Sequence, residues 1–189
     1  MLFSCKDSVP KPKEKKVAPV ITFVTVLESI GDVLYSPVQD TIWKKIKVGL
    51  KLNQNHNLRT GAKSSTQLSF ADGSIFSIPE NSSISIGEHI LSEKQRQALY
   101  QLNYGSIHFK VSKIVRINSL VEFRTATMTA SIRGTEGTIS SNGKKSIAYL
   151  KSGKLRLKDK KTGKQKTIIG NQQVSHEKNA FKVKEAKSK

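Results

Sequence analysis

Apolar and polar residues alternate at period two along most of the chain, and turn residues interrupt the alternation at short intervals. In Thr66-Gln67-Leu68-Ser69-Phe70 and in Ile75-Phe76-Ser77-Ile78 every second residue is apolar, and Ala71-Asp72-Gly73-Ser74 separates the two runs. Successive side chains of a strand point to opposite faces, so each run has one dry face and one wet face. The Asp72-Gly73 pair carries the residue types that a tight hairpin turn needs. Leu68, Phe70, Phe76 and Ile78 are therefore expected to share one face. The pattern returns at Ile107, Phe109 and Val111 and again at Met128, Ala130 and Ile132, with turn signals at Thr60-Gly61, Tyr104-Gly105, Asn142-Gly143, Ser152-Gly153, Thr162-Gly163 and Gly170-Asn171. Many short strands with frequent turns predict an all-β fold, either an antiparallel β-sandwich or a short β-solenoid. Ser92 to Leu99 has the Ser-x-x-Gln spacing of a helix cap, but its neighbours on both sides alternate, so a strand connection is expected there.

At 189 residues the chain can bury one core, with polar ends outside it. Residues 1–19 are expected to form an extended, disordered tether, since Lys6 to Pro19 holds three prolines and five lysines. Residues 20–177 are expected to form the all-β domain. Residues 178–189 are expected to be a basic disordered tail, with only Phe181 and Val183 as anchors. The net charge is +19, and thirteen Lys/Arg against three carboxylates in residues 151–189 supply +10 of it. Such a surface attracts polyanions. Lys151, Lys154, Arg156, Lys158, Lys160 and Lys161 are the candidate contacts to an anionic envelope surface. Specific nucleic-acid recognition is not expected, because residues 151–180 contain no aromatic residue on which bases could stack.

Catalytic and metal-binding chemistry find little footing. The only cysteine, Cys5, excludes an internal disulfide, and no Cys/His cluster has zinc spacing. His56, His89, His108 and His176 are scattered and are expected at the surface. Gly137 followed by Gly143-Lys144-Lys145-Ser146 has the wrong spacing for a phosphate-binding loop and is expected to be a hairpin turn. Trp43, beside Lys44 and Lys45, is expected to anchor the core at a strand start. No catalytic residue, metal ligand or cofactor site is assigned.

Leu2-Phe3-Ser4-Cys5 has the form of a bacterial lipobox, which makes Cys5 the candidate lipidation residue, provided that a basic and apolar signal segment precedes it. That reading places the protein in the periplasm or at the outer membrane, with membrane association through the lipid anchor.

Five stretches in order resemble the FecR domain family: Val48-Gly49 with Leu58-Arg59-Thr60-Gly61; Gln67-Leu68-Ser69-Phe70-Ala71-Asp72-Gly73-Ser74; Leu102-Asn103-Tyr104-Gly105-Ser106-Ile107; Ile132-Arg133-Gly134-Thr135-Glu136; and Ala148 to Leu155, which is similar to the family's closing hairpin. Gly170-Asn171-Gln172-Gln173-Val174 looks like a final turn of the same kind. The resemblance spans roughly residues 20–175 and implies a non-enzymatic, extracytoplasmic all-β domain, best known as the sensory part of regulators of iron-uptake sigma factors. The family's cytoplasmic anti-sigma segment and membrane helix have no counterpart in the sequence, and Gly137 stands where the family often has an apolar residue, which implies a looser strand. The leading expectation is a lipid-anchored binding or scaffolding domain whose partner is an envelope protein or an anionic envelope polymer. The alternatives are a regulatory partner in sigma-factor cell-surface signalling and a basic nucleic-acid-binding protein.

Gly61, Asp72, Gly73, Arg133, Gly134 and Thr135 are expected to be structural. Gly134 permits a backbone geometry closed to other residues, and Gly137 marks a bulge. Arg133, Thr135 and Glu136 are expected to pin a crossing strand through hydrogen bonds.

Overall fold

The computed structural model describes residues 20–21, 23–37, 40–91, 95–113 and 118–185. Within them the chain is all β, with no helix. The first half contains β1 (Val20–Ile21), β2 (Val24–Ile30), β3 (Val33–Pro37), β4 (Lys44–Lys45), β5 (Lys51–Leu52), β6 (His56–Thr60), β7 (Ser65–Phe70), β8 (Ile75–Ile78) and β9 (Ser82–Leu91). The second half contains β10 (Gln95–Lys110), β11 (Asn118–Arg124), β12 (Met128–Ile132), β13 (Glu136–Ser141), β14 (Lys145–Ser152), β15 (Lys154–Asp159), β16 (Gln165–Ile169), β17 (Gln172–Glu177) and β18 (Ala180–Glu185).

Hydrogen-bonded ladders arrange these strands in two sheets. Sheet I runs β4-β3-β6-β9-β10-β11-β12-β15-β16, and β1 pairs with the far end of β9. Sheet II runs β5-β2-β7-β8-β10-β13-β14-β17-β18. After β10 the chain lays down hairpins alternately, β11–β12 and β15–β16 in sheet I, β13–β14 and β17–β18 in sheet II. The result is a sandwich of the kind expected. One ladder departs from the antiparallel rule: β10 and β11 run parallel from Gln95↔Asn118 to Gln101↔Arg124.

β10 belongs to both sheets, and its sequence shows how. Ala98, Tyr100 and Leu102 are buried at even positions, whereas Ile107 and Phe109 are buried at odd ones. The parity switches across Gly105, whose φ of +87° places it in the left-handed region. A side chain there would also run into Ser82. A residue with a Cβ could not turn the strand over at this point, so the glycine lets one strand serve two sheets.

The two inner faces meet in an aromatic centre. Phe76 and Phe109 come from sheet II, Tyr100 and Phe123 from sheet I, and Phe76–Tyr100 and Phe76–Phe123 have ring centroids 5.0 Å apart. Each buried ring contributes about 1.5–3 kcal/mol relative to exposure, so this cluster cements the sheets. The β7–β8 hairpin forms as expected, with Leu68 opposite Phe76 and with Leu68, Phe70, Phe76 and Ile78 all buried. The segment with the helix-cap spacing enters β10 as a strand from Gln95 onward.

The edge strands carry part of the basic charge. β4 carries Lys44 and Lys45, β5 Lys51, β16 Lys166, and β18 Lys182 and Lys184. Lysines on an open edge oppose pairing with another chain.

Several expectations change. Ala180–Glu185 are not a disordered tail but form β18, paired with β17 through a turn in which Lys178 and Asn179 take positive φ. Alternation at Phe181 and Val183, with backbone hydrogen bonds to β17, outweighs the local lysine content. Ser152-Gly153 is not a hairpin turn; it carries the chain from β14 in sheet II to β15 in sheet I. Residues 1–19, with Cys5 and the expected tether, lie outside the described residues, as do residues 186–189.

Candidate functional site

The Arg133-Gly134-Thr135 motif occupies the crossover from β12 in sheet I to β13 in sheet II. Gly134 has φ +61°, and a Cβ on it would lie 3.0 Å from the Cβ and Cγ of Lys113. Thr135 is buried, and its carbonyl oxygen accepts the Val111 N–H at 2.9 Å, tying the crossover to the end of β10. Glu136 accepts a hydrogen bond from Lys151 Nζ at 2.7 Å, which raises the Lys151 ammonium above the ordinary lysine range. The tie to β10 is thus made by the Thr135 main chain, its hydroxyl having no hydrogen-bond partner among the described residues, while Glu136 joins β13 to its neighbour β14. Arg133 is exposed and makes no side-chain hydrogen bond or ion pair among the described residues.

The ladder shifts register between Glu136 and Gly137, which is the expected bulge. The strand is not looser there. A Cβ at Gly137 would strike the Tyr149 carbonyl oxygen and reach 3.0 Å from Phe109 Cζ, so the missing side chain is replaced by close packing.

Gly61 links β6 to the neighbouring loops: its N–H donates to the Asp32 carbonyl at 2.9 Å and its carbonyl accepts from Asn81 at 3.1 Å. Gly73 takes φ +80° in the β7–β8 turn. Asp72 does more than form that turn. One carboxylate oxygen accepts the Ser74 N–H at 2.8 Å, and the other pairs with the Arg96 guanidinium, with both side chains almost fully buried. Arg96 also donates to Ser74 Oγ at 2.8 Å and to the Ser112 carbonyl at 3.1 Å. This buried node joins the β7–β8 turn, the start of β10 and the segment after its end. Asp72 and the buried environment both push the Tyr100 phenol well above its ordinary pKa, burial being the larger cause. The role of Arg96 was missed in the sequence, although its parity with Ala98 and Tyr100 places it inward, where a charge requires a partner.

A second buried pair was also missed. His176 Nε2 and Asp159 Oδ2 are hydrogen-bonded at 2.6 Å, with side chains 2% and 0% exposed. The backbone N–H groups of Thr162 and Lys161 donate to Asp159 Oδ1 at 2.6 and 2.8 Å. The Thr162 N–H is the main reason that the Asp159 carboxyl is held down to about 2, with the His176 hydrogen bond adding to it. His89 and His176 are therefore buried, not surface histidines, whereas His108 faces outward as expected. Trp43 is half-buried rather than a core anchor, and the Arg59 guanidinium stacks over its ring at 4.1 Å.

The candidate functional surface is the outward face of sheet I over β11, β12, β15 and β16. Leu155, Leu157 and Asp159 point inward and are buried, so Lys154, Arg156 and Lys158 all project outward, about 7 Å apart along the strand. Arg156 lies between Ser131 on β12 and Thr167 on β16, and Lys158 between Thr129 and Gln165. Arg124 extends the row onto β11. Among the described residues in this part of the face, the carboxylate of Glu122 accepts hydrogen bonds from Arg124 at 3.2 Å and Ser131 at 3.2 Å. A cleft of about 400 Å³ opens beside Leu120, with Arg133, Lys154 and Arg156 around it. Lys160 and Lys161 sit at the β15–β16 turn, where Lys160 Nζ donates to the Thr125 carbonyl at 3.1 Å. Lys151 does not join this surface; it lies on β14 in sheet II, paired with Glu136.

Among the described residues no group of three or more His, Cys, Asp or Glu could hold a metal ion. No described helix is long and apolar enough to cross a membrane. What the arrangement offers chemically is exposed positive charge on Lys154, Arg156 and Lys158, flanked by hydroxyl and amide groups.

The model of the FecR protein family matches residues 56–156, more than half of the chain. Two crystal structures of a candidate anti-sigma factor from Parabacteroides distasonis ATCC 8503 superpose with TM-scores of 0.58 and 0.57, each at 12% identity and each covering 69% of this chain and 59% of the other. This chain thus spans less than two thirds of the length of those structures, and at that identity the likeness is one of fold. No curated protein matches the sequence.

Proposed function

Because the chain belongs to the FecR family, we propose that it is the non-catalytic, extracytoplasmic domain of a FecR-type regulatory system at the cell envelope, where it binds a partner rather than transforming a substrate. The observation that carries this reading is the family match itself, which runs from β6 into β15 and so takes in the central strands of both sheets and the first part of the basic row. The structural likeness to a candidate anti-sigma factor favours regulation over a purely mechanical scaffold. The buried polar groups of the matched region support binding over catalysis, since Asp72 and Arg96 are engaged with each other and with Ser74 and Ser112. That leaves the outward sheet faces to meet a partner. Lipidation at Cys5, after an upstream signal sequence, would tether the domain to a membrane of the envelope.

Deleting the gene and sequencing transcripts tests the reading. A changed set of genes under one alternative sigma factor is expected, restored by the exported protein but not by a copy confined to the cytoplasm. An unchanged transcript profile would overturn the regulatory role.

A further inference from the structure

The outward face of sheet I combines two features that a polyanion-attracting surface does not require together. Arg133, Lys154, Arg156 and Lys158 are exposed and have no side-chain hydrogen bond or ion pair among the described residues. On the same face two large aliphatic side chains stand in solvent: Leu120 on β11 is 43% exposed and Ile169 on β16 is 61% exposed. Their neighbours Val121 and Ile168 are buried, which fixes Leu120 and Ile169 as outward. Ile169 is the register partner of Lys154, so one aliphatic borders the cationic row directly.

We propose that this face lies against an anionic lipid bilayer, its cations meeting headgroup phosphates while Leu120 and Ile169 enter the headgroup and acyl boundary. Cations near a surface of anionic lipid gain from its negative potential, and apolar side chains that reach past the headgroups add attraction that salt does not screen. A soluble acidic polymer would satisfy the cations and leave both aliphatics in water. The four cations on one sheet face suit an array of phosphates, and the hydroxyl group of Thr167 beside Arg156 can donate to the same oxygens. The inference rests on the proposed function only in placing the domain outside the cytoplasm.

Co-sedimentation of the purified full chain with vesicles tests it, using equal parts phosphatidylcholine and phosphatidylglycerol against phosphatidylcholine alone. Binding to the anionic vesicles only is expected. Each cation removed should weaken it about fivefold, so Arg156→Ser with Lys158→Ser should weaken it roughly 25-fold. The same charge change on the other sheet, Lys182→Ser with Lys184→Ser, should leave binding within about twofold, since those side chains cannot face the same bilayer. Leu120→Ser with Ile169→Ser should abolish the binding that survives at about 0.5 M salt, where the Coulomb contribution is screened. Circular dichroism of each variant confirms that the fold is retained. Equal weakening by the two lysine and arginine pairs would overturn the proposal, as would equal binding to neutral vesicles. Tight binding to dextran sulfate that neither aliphatic substitution affects, with no salt-resistant vesicle binding, would instead identify an acidic polymer as the partner and equally overturn it. A negative vesicle result leaves the transcript experiment standing, and an unchanged transcript profile leaves vesicle binding standing, so the two failures are separable.

Discussion

Replacing Arg96 by Met should be among the most damaging single changes in this domain. The guanidinium is 3% exposed, and its partners among the described residues include Asp72, Ser74 Oγ and the Ser112 carbonyl. Methionine fills similar space along the stem but offers no donor, so the Asp72 carboxylate stays buried with, among the described residues, the Ser74 N–H to stabilise it. Removing one partner of a buried pair costs about 3–5 kcal/mol. A domain of this size has a total stability of about 5–15 kcal/mol, so the loss takes from about a fifth of it to all of it. At ~2–4 °C per kcal/mol, the expected fall in melting temperature is about 6–20 °C. Urea unfolding followed by circular dichroism measures the loss, with the m-value checking that the transition stays cooperative. Asp72→Asn in the Arg96→Met background should recover most of it, because the charge that lacked a partner is gone while the turn acceptor for Ser74 remains. A loss below about 1 kcal/mol in the single variant, or a double variant no better than Arg96→Met, would refute the argument that a desolvated charge is what costs.

Acid unfolding should depend on Asp159: its folded pKa of about 2 lies below the ordinary carboxyl value of 3.8, so the stability it contributes is complete above pH ~4 and lost as pH falls through ~2. Asp159→Asn should flatten the stability profile in that window, and an unchanged slope would rule the carboxyl out as its source. Gly134→Val should destabilise by about 1–3 kcal/mol, since a β-branched residue cannot easily take a φ of +61° and its Cβ would press on Lys113; an unchanged melting temperature would show the glycine to be incidental. DNA binding by the basic surface should collapse between about 50 and 200 mM salt without sequence preference. A duplex of defined sequence held in the nanomolar range at physiological salt would contradict the envelope placement.

Period two made the strands and their inward faces legible from the residues alone. Leu68, Phe70, Phe76 and Ile78 share the face that alternation assigns them, and Asp72-Gly73 turns where its chemistry requires, because both are local properties of a few consecutive residues. Gly134 was legible for the same reason: a backbone need shows in the residue that meets it. Which sheet each strand joins was not legible. Ser152-Gly153 has the composition of a hairpin turn, yet it carries the chain between sheets, a choice made by the inner faces of β14 and β15 finding different partners. The alternation of β10 does change parity at Gly105, but only the two assembled sheets show that the change moves one strand from one layer to the other. Pairs such as Asp72 with Arg96 and Asp159 with His176 are distant in sequence and meet only after the strands are stacked. The same assembly separated Lys151 from Lys154, Arg156 and Lys158, so that charge evenly spread along the C-terminal sequence became one cationic face beside two exposed aliphatics. Local alternation decides which side of a strand is wet, and tertiary packing decides which wet sides lie next to one another.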